Sequence, residues 1–266
     1  MQQATPQTIA HQLDADLASV EDRISHFLSP DDGAIAALLA SADQLAKADA
    51  LEASHLKGRI HALTGDRRQV DYWFANARRL RDDWRADFNH ASCLASLGHF
   101  ADAAAMATRI PSIDLEMMPM LISLSITVLD LDRARAVSMA LQRVNVMPEA
   151  ICDNDAKTAL DVLAYYRVPL ERARAVLEVA GELIREQRLW WLGRQPRLFA
   201  HLDSNDAGVL YELQVATSTA HSCTLNDQFI DRLIDRNLLL PGFSFAFLGV
   251  GDRSPAIASQ RLKRVH

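Results

Sequence analysis

"ALTGDRRQVDYWFANARRL" occupies residues 62–80, and "ASLGHFADAAAMATRI" occupies residues 95–110. In each, a helix-forming run meets a glycine, then a polar turn, then a second run with apolar residues three and four apart. Gly65 and Gly98 are 33 residues apart, Gly33 lies 32 before Gly65, and Leu131, another 33 on, stands at a turn followed by the same kind of helix. Glycine suits the left-handed backbone that ends many helices, and Asp66 can cap the next one. A fixed period of this size, with two short helices per unit, predicts stacked helical hairpins. One hairpin cannot bury its apolar face alone. Stacking creates a continuous core, and a small rotation per unit bends the array into a superhelix.

Working outward, Ile9, Leu13, Leu17, Val20, Ile24 and Phe27 stripe one face of a helix predicted over 8–28, which "SPDDG" at 29–33 stops. Helices follow at 34–47, 51–63, 66–80, 84–97 and 101–109. Residues 115–129 are apolar on nearly every side, which predicts a helix sandwiched between neighbours. Helices over 132–141 and 171–180 share the string "RARAV", with another at 153–166 between them. Residues 188–202 are expected to form a helix interrupted near Gly193 and Pro196, with further helices near 206–220 and 225–239. Only 241–255 alternates with period two, through Phe243, Phe245 and Phe247 between Pro and Gly. That predicts a short strand or extended arm packed as a cap on the last helices, since no second strand of comparable strength is visible. The expectation is an all-α superhelix. Its parts are an N-terminal helix and turn (1–33), hairpin repeats (34–143), degenerate helical repeats (144–240), and an arm with a basic tail (241–266).

Composition agrees with helices: 266 residues, 49% hydrophobic, rich in Ala and Leu, with 10 Gly and 9 Pro. A net charge of -6 argues against a dedicated nucleic-acid binder, which must neutralise phosphates. Cys93, Cys152 and Cys223 are far apart and odd in number, so they make neither a disulfide framework nor a metal pair. A reducing cytoplasm is the expected setting. The first residues lack the pattern of a signal peptide. The apolar stretches at 117–131 and 238–251 fall short of the about 20 residues a membrane span needs. No Gly-rich phosphate loop, no H-E-x-x-H and no zinc-spaced partners for His221 and Cys223 occur. His55 and His61 are six apart and do not share a helix face. No cofactor, metal or catalytic residue is expected.

Residues 51–84 place Gly58 midway along the first helix, Gly65 and Asp66 at the turn, then Phe74 and Ala77 in the second helix; the next unit places Ala91, Gly98, Phe100 and Ala103. This pattern resembles the tetratricopeptide-repeat family. The resemblance is best over 50–110 and weaker over 34–50 and 110–143. Departures are Val70 where the family usually has Ala, no Pro after Leu80, no Gly in the unit around Leu131, and a spacing of 39 between the two "RARAV" strings.

The resemblance implies a concave groove, lined by the first helix of each unit, that holds a peptide or helix of a partner protein. His55, Arg59, Arg85, Asn89 and Ser92 would face that ligand. Arginine forks suit carboxylates and asparagine can hold a peptide backbone, so the partner would be an extended segment of acidic character. The implied function is a non-catalytic adaptor, chaperone or assembly factor, with oligomeric state open. Solvated helix-face arginines are the competing reading of Arg59 and Arg85. Trp73 and Trp84 fall on apolar stripes and are expected in the core. Trp190 and Trp191, adjacent on a predicted helix, cannot both face one core, so one would meet another layer, the arm or a partner. "RADFNH" also places Arg85 and His90 at a spacing similar to that of HEPN-type helical ribonucleases, which act as dimers. Arg261 and His266 repeat it. That is the alternative function.

Overall fold

The computed structural model describes residues 6–111, 115, 117–143, 153–191, 196–203 and 206–251. They form a mostly helical molecule with a small three-stranded sheet. The helices are α1 (Pro6–Glu21), α2 (Gly33–Ala46), α3 (Ala50–Thr64), α4 (Arg67–Leu80), α5 (Trp84–Ser96), α6 (Phe100–Ala107), α7 (Met118–Thr127), α8 (Leu131–Arg143), α9 (Asp153–Tyr165), α10 (Leu170–Glu186) and α11 (Thr219–Asp235). The strands are β1 (Arg197–Leu202), β2 (Ala207–Val215) and β3 (Phe243–Gly249).

The period in the sequence becomes three equivalent turns. After α3, α5 and α7, a left-handed residue ends the helix: Gly65 (φ 76°), Gly98 (φ 74°) and Leu129 (φ 52°). The next amide reaches back five residues in each: Asp66 to the His61 carbonyl (3.3 Å), His99 to Leu94 (2.8 Å) and Asp130 to Ser125 (2.7 Å). The third unit therefore keeps the turn without glycine. A left-handed leucine costs roughly 1–2 kcal/mol, which burial of its side chain at 1% exposure offsets. Turns this short make α3/α4, α5/α6 and α7/α8 antiparallel pairs. The odd-numbered helices α1, α3, α5 and α7 also touch in that order.

Helix α10 crosses these turns. Arg174 donates to the Leu129 carbonyl (3.1 Å) and Asp130. Arg185 donates to the Gly98 carbonyl. Arg188 reaches the carbonyls of Phe27, Leu28 and Thr64 at 3.3–3.4 Å. At Leu129, Gly98 and Thr64 these cations satisfy orphan carbonyls at the negative ends of helix dipoles; Phe27 and Leu28 lie in the loop after α1. Arg174 and Gly181 are seven residues apart, about 10.5 Å along α10, close to the roughly 8–10 Å between packed helices, and Arg188 follows just past the end of α10. The α10 backbone approaches so closely that a Cβ on Gly98 would lie 2.6 Å from the Gly181 carbonyl oxygen.

Beyond Glu186 the structure departs from the expected helices. Arg188 takes φ 51° and turns the chain into extended backbone. His26 and Leu189 form an antiparallel bridge, and the Trp190 amide donates to the Ser25 carbonyl (2.9 Å). Residues 197–202 and 207–215, expected as helix, are β1 and β2 of an antiparallel hairpin. β3 lies parallel to β2, joined by α11, and is an edge strand of that sheet rather than an arm. The register puts Leu198, Tyr211 and Phe245 on one face, together with Ala200, Val209 and Phe243. That face enters the core: Tyr211 is 0% exposed and its hydroxyl donates to the Thr127 carbonyl at 2.8 Å. On the open edge of β3, the Asn226 side chain donates to the Phe247 carbonyl (2.9 Å) and accepts from its amide (2.8 Å). The amide thus stands in for a neighbouring strand. One hydrophobic cluster runs from Leu13 in α1 to Phe247 in β3. The basic tail lies outside the described residues.

Candidate functional site

A cavity of about 220 Å³ opens between α3, the α4–α5 turn, α5 and α7, lined by Glu52, His55, Arg81, Trp84, Arg85, Phe88, Asn89 and Met120. Its walls follow from local structure. Asp83 caps α5 by accepting from the amides of Arg85 (3.0 Å) and Ala86 (3.4 Å), while its second oxygen takes the Arg81 guanidinium at 2.7 Å. Burial pushes the Asp83 carboxyl up, but Arg81 and the amides outweigh it and hold the group below its ordinary value. The α5 start is thereby pinned, and Trp84, Arg85, Phe88 and Asn89 share one face at helical spacing. Asp49 caps α3 in the same way, through the Glu52 amide (2.9 Å).

A side-chain hydrogen bond joins α3 to α5 at the cavity. Asn89 Nδ2 donates to His55 Nδ1 at 3.1 Å. Burial lowers the His55 pKa, so the ring is neutral at pH 7 and its proton sits on Nε2. Burial also raises the Glu52 carboxyl above its ordinary value. Arg85 is exposed and lies 5.7 Å from the Trp84 ring centroid, with no carboxylate within ion-pair distance among the described residues. Trp84, Phe88 and the 45%-exposed Met120 supply apolar walls. The volume lies below the roughly 300 Å³ at which small-molecule and cofactor sites begin.

Three of the anticipated residues, His55, Arg85 and Asn89, thus meet in one place. Arg59 does not join them. It pairs with Asp14 and with Glu21 (3.5 Å), holding α1 against α3. Ser92 lies further along α5, partly buried, where its carbonyl accepts from Ser96 (3.0 Å). Trp190 and Trp191 are 4% and 3% exposed, so neither is open to a partner. Being extended, the backbone sends them to opposite sides of one core. Trp190 packs edge-on to Phe27 (6.2 Å), while Trp191 lies near Phe100 (6.5 Å) and donates to the Ala95 carbonyl (3.0 Å). Trp73 is half-buried beneath the Lys57 ammonium (4.3 Å). Trp84, expected in the core, is a cavity wall.

Arg85 and His90 diverge. His90 is 4% exposed and stacks on Phe74 (5.2 Å). Its Nε2–H donates to Asp71 (2.7 Å) and its Nδ1 accepts from Arg78 (3.2 Å), so both ring nitrogens are engaged. Arg261 and His266 lie outside the described residues.

Sequence reasoning missed Glu52, Arg81, Phe88 and Met120. Glu52 is one turn before His55, and Phe88 one turn after Arg85, so helical phase could have found both. Nothing local marks Met120, which arrives from α7. Among the described residues no group of three His, Cys, Asp or Glu could hold a metal ion, and no helix is long and apolar enough to cross a membrane. No protein-family model, no curated protein and no solved structure matches this chain.

Proposed function

We propose that this chain is a non-catalytic binding module whose odd-numbered helices form the inner face of a short tetratricopeptide-like superhelix. On this reading the cavity between α3 and α5 takes one acidic side chain of an extended partner segment. The observation that carries it is Arg85: exposed, steadied over Trp84, and in no ion pair among the described residues, with the Glu52 carboxylate felt only across the cavity. A ligand carboxylate would lie against Arg85, with the Asn89 amide beside it to hold main chain and Trp84, Phe88 and Met120 around the aliphatic part. Arginine and tryptophan side by side are the pairing that interface hot spots favour. An adaptor, chaperone or assembly factor would all use such a site.

The test is fluorescence anisotropy with a pool of labelled ten-residue peptides, each carrying one Asp or Glu among neutral residues. The same pool with Asn or Gln is the control. Binding is expected for the acidic pool, falling at least tenfold with the amide pool and with Arg85→Glu. Equal binding of the two pools, or binding indifferent to Arg85→Glu, would overturn the proposal.

A further inference from the structure

Two helix faces on different parts of the molecule carry opposite, uncompensated charge. On α4, Arg68, Tyr72 and Arg79 fall within about 40° of one another at 100° per residue. All three are exposed, Tyr72 at 56%, and neither arginine has a hydrogen-bond or ion-pair partner among the described residues. Ala75, small and partly buried, lies between them on the same face. The other cations on this helix are taken: Arg67 by Asp71 (3.4 Å) and Asp102 (2.7 Å), and Arg78 by Asp87 (3.2 Å).

On α11 the outer face carries Asp227, Asp231 and Asp235 at intervals of four, interleaved with Ile230 (47% exposed) and Ile234 (56%). The arginines of this helix point the other way. Arg232 and Arg236 make two-pronged pairs with Glu186 and Glu182 of α10, at 2.5–2.9 Å. Asp227, Asp231 and Asp235 have no hydrogen-bond or ion-pair partner among the described residues, although the Asp235 charge also acts on Arg236.

We infer that the α4 face of one copy docks on the α11 face of another copy. Arg68 and Arg79 would meet the aspartates while Tyr72 and Ala75 cover the two isoleucines. The spans agree: Arg68 to Arg79 is about 16.5 Å of helix and Asp227 to Asp235 about 12 Å, a difference that flexible arginine side chains absorb. A second copy is the occupant because this chain supplies both halves of the complementarity. Neither face would match itself, so the contact is head-to-tail and builds open chains or rings. Two helix faces cover well under the roughly 800 Å² per partner of a stable complex, so the association is weak. It is independent of the cavity at Arg85.

Salt gives the first test. A chain of net charge -6 repels its copies, and screening that general repulsion would raise association. A stripe-to-stripe contact predicts the reverse. Sedimentation equilibrium up to about 1 mM, the range expected of a weak contact, should show mass rising with concentration at low salt and falling as salt is added. Arg68→Glu with Arg79→Glu, and separately Asp227→Lys with Asp231→Lys and Asp235→Lys, should each weaken self-association at least tenfold. Mixing the two variants should restore it, since each then offers what the other needs. Circular dichroism checks that both fold, and Arg68→Gln with Arg79→Gln replaces a variant that does not. A wild-type chain that stays monomeric, association that rises with salt, or a mixture that stays apart would overturn the inference. So would wild-type monomers whose α4 arginines instead bind an acidic peptide, which would assign that face to another partner.

Discussion

The helical hairpins between Ala50 and Arg143 and the sheet between Arg197 and Gly249 are built by opposite means. In the hairpins, each helix packs mainly on its neighbours in the chain, and each turn closes with the same short-range bond: Asp66 to His61, His99 to Leu94, Asp130 to Ser125. In the sheet, β2 and β3 meet across α11, and Tyr211 finds its acceptor 84 residues away at Thr127. The difference teaches that a regular region can be locally specified yet globally closed by something else. Here α10 and the extended Trp190–Trp191 segment run across three hairpin turns and tie them to the first loop at Phe27 and Leu28.

The strongest way to break that picture is Gly98→Val. It would force a branched side chain into φ 74° and against the Gly181 backbone. A loss of about 3 kcal/mol or more is expected. Far-UV circular dichroism and tryptophan fluorescence should move together in a urea titration, because Trp191 sits on the same turn. Separate transitions would mean that hairpins and sheet are two independent units.

On the sheet side, Tyr211→Phe strips the Thr127 carbonyl of its buried donor and should cost about 1–2 kcal/mol. Tyr165→Phe, at 66% exposure, should change nothing measurable in the same urea midpoint. Equal effects would show that the long-range bond to α7 contributes little.

Acid should act on the hairpins. Burial, then Arg185 and Arg67, push the His99 imidazole from 6.5 down to about 4, against the pull of Asp102 and Asp71. Burial also lowers His90, against its bond to Asp71. As pH falls the unfolded chain takes up these protons first, so the stability present above pH 6.5 is lost towards pH 4. His99 is half-exposed, and solvent screening reduces its share to on the order of 1 kcal/mol. The wild-type urea midpoint should fall over this window more steeply than that of His99→Gln. Parallel slopes would remove His99 from the account.

The smallest effect concerns helix ends. Arg167 is exposed and closes α9 at φ 56°. Arg167→Gly should relieve that backbone and raise stability by about 0.5 kcal/mol after the added chain entropy is counted. A lower melting temperature would mean that the arginine does more than turn the chain.

The cavity was legible in part. His55, Arg85 and Asn89 follow from helical phase and the repeat alignment, because positions one unit apart on stacked helices become neighbours. Arg59 has the same phase but lies beside α1, whose Asp14 and Glu21 claim it, and no spacing within α3 reveals that neighbour. Trp190 and Trp191 both reach the core because their backbone is extended, which a helix expected over 188–202 does not reveal.

By itself, the sequence determined the helical hairpins, their turns and the phase of three cavity residues. Those depend on glycine at a left-handed position, aspartate caps and a 3.6-residue period, all of which act within a few residues. β1 and β2 were decided only in the tertiary structure. "RLFAHL" and "AGVLYELQV" are rich in residues that also favour helices, and Leu210 blurs the alternation of Val209, Tyr211 and Leu213. A strand gains its hydrogen bonds from a partner elsewhere in the chain, so β3, α7 and the sheet-covering helices settled what local preference left open.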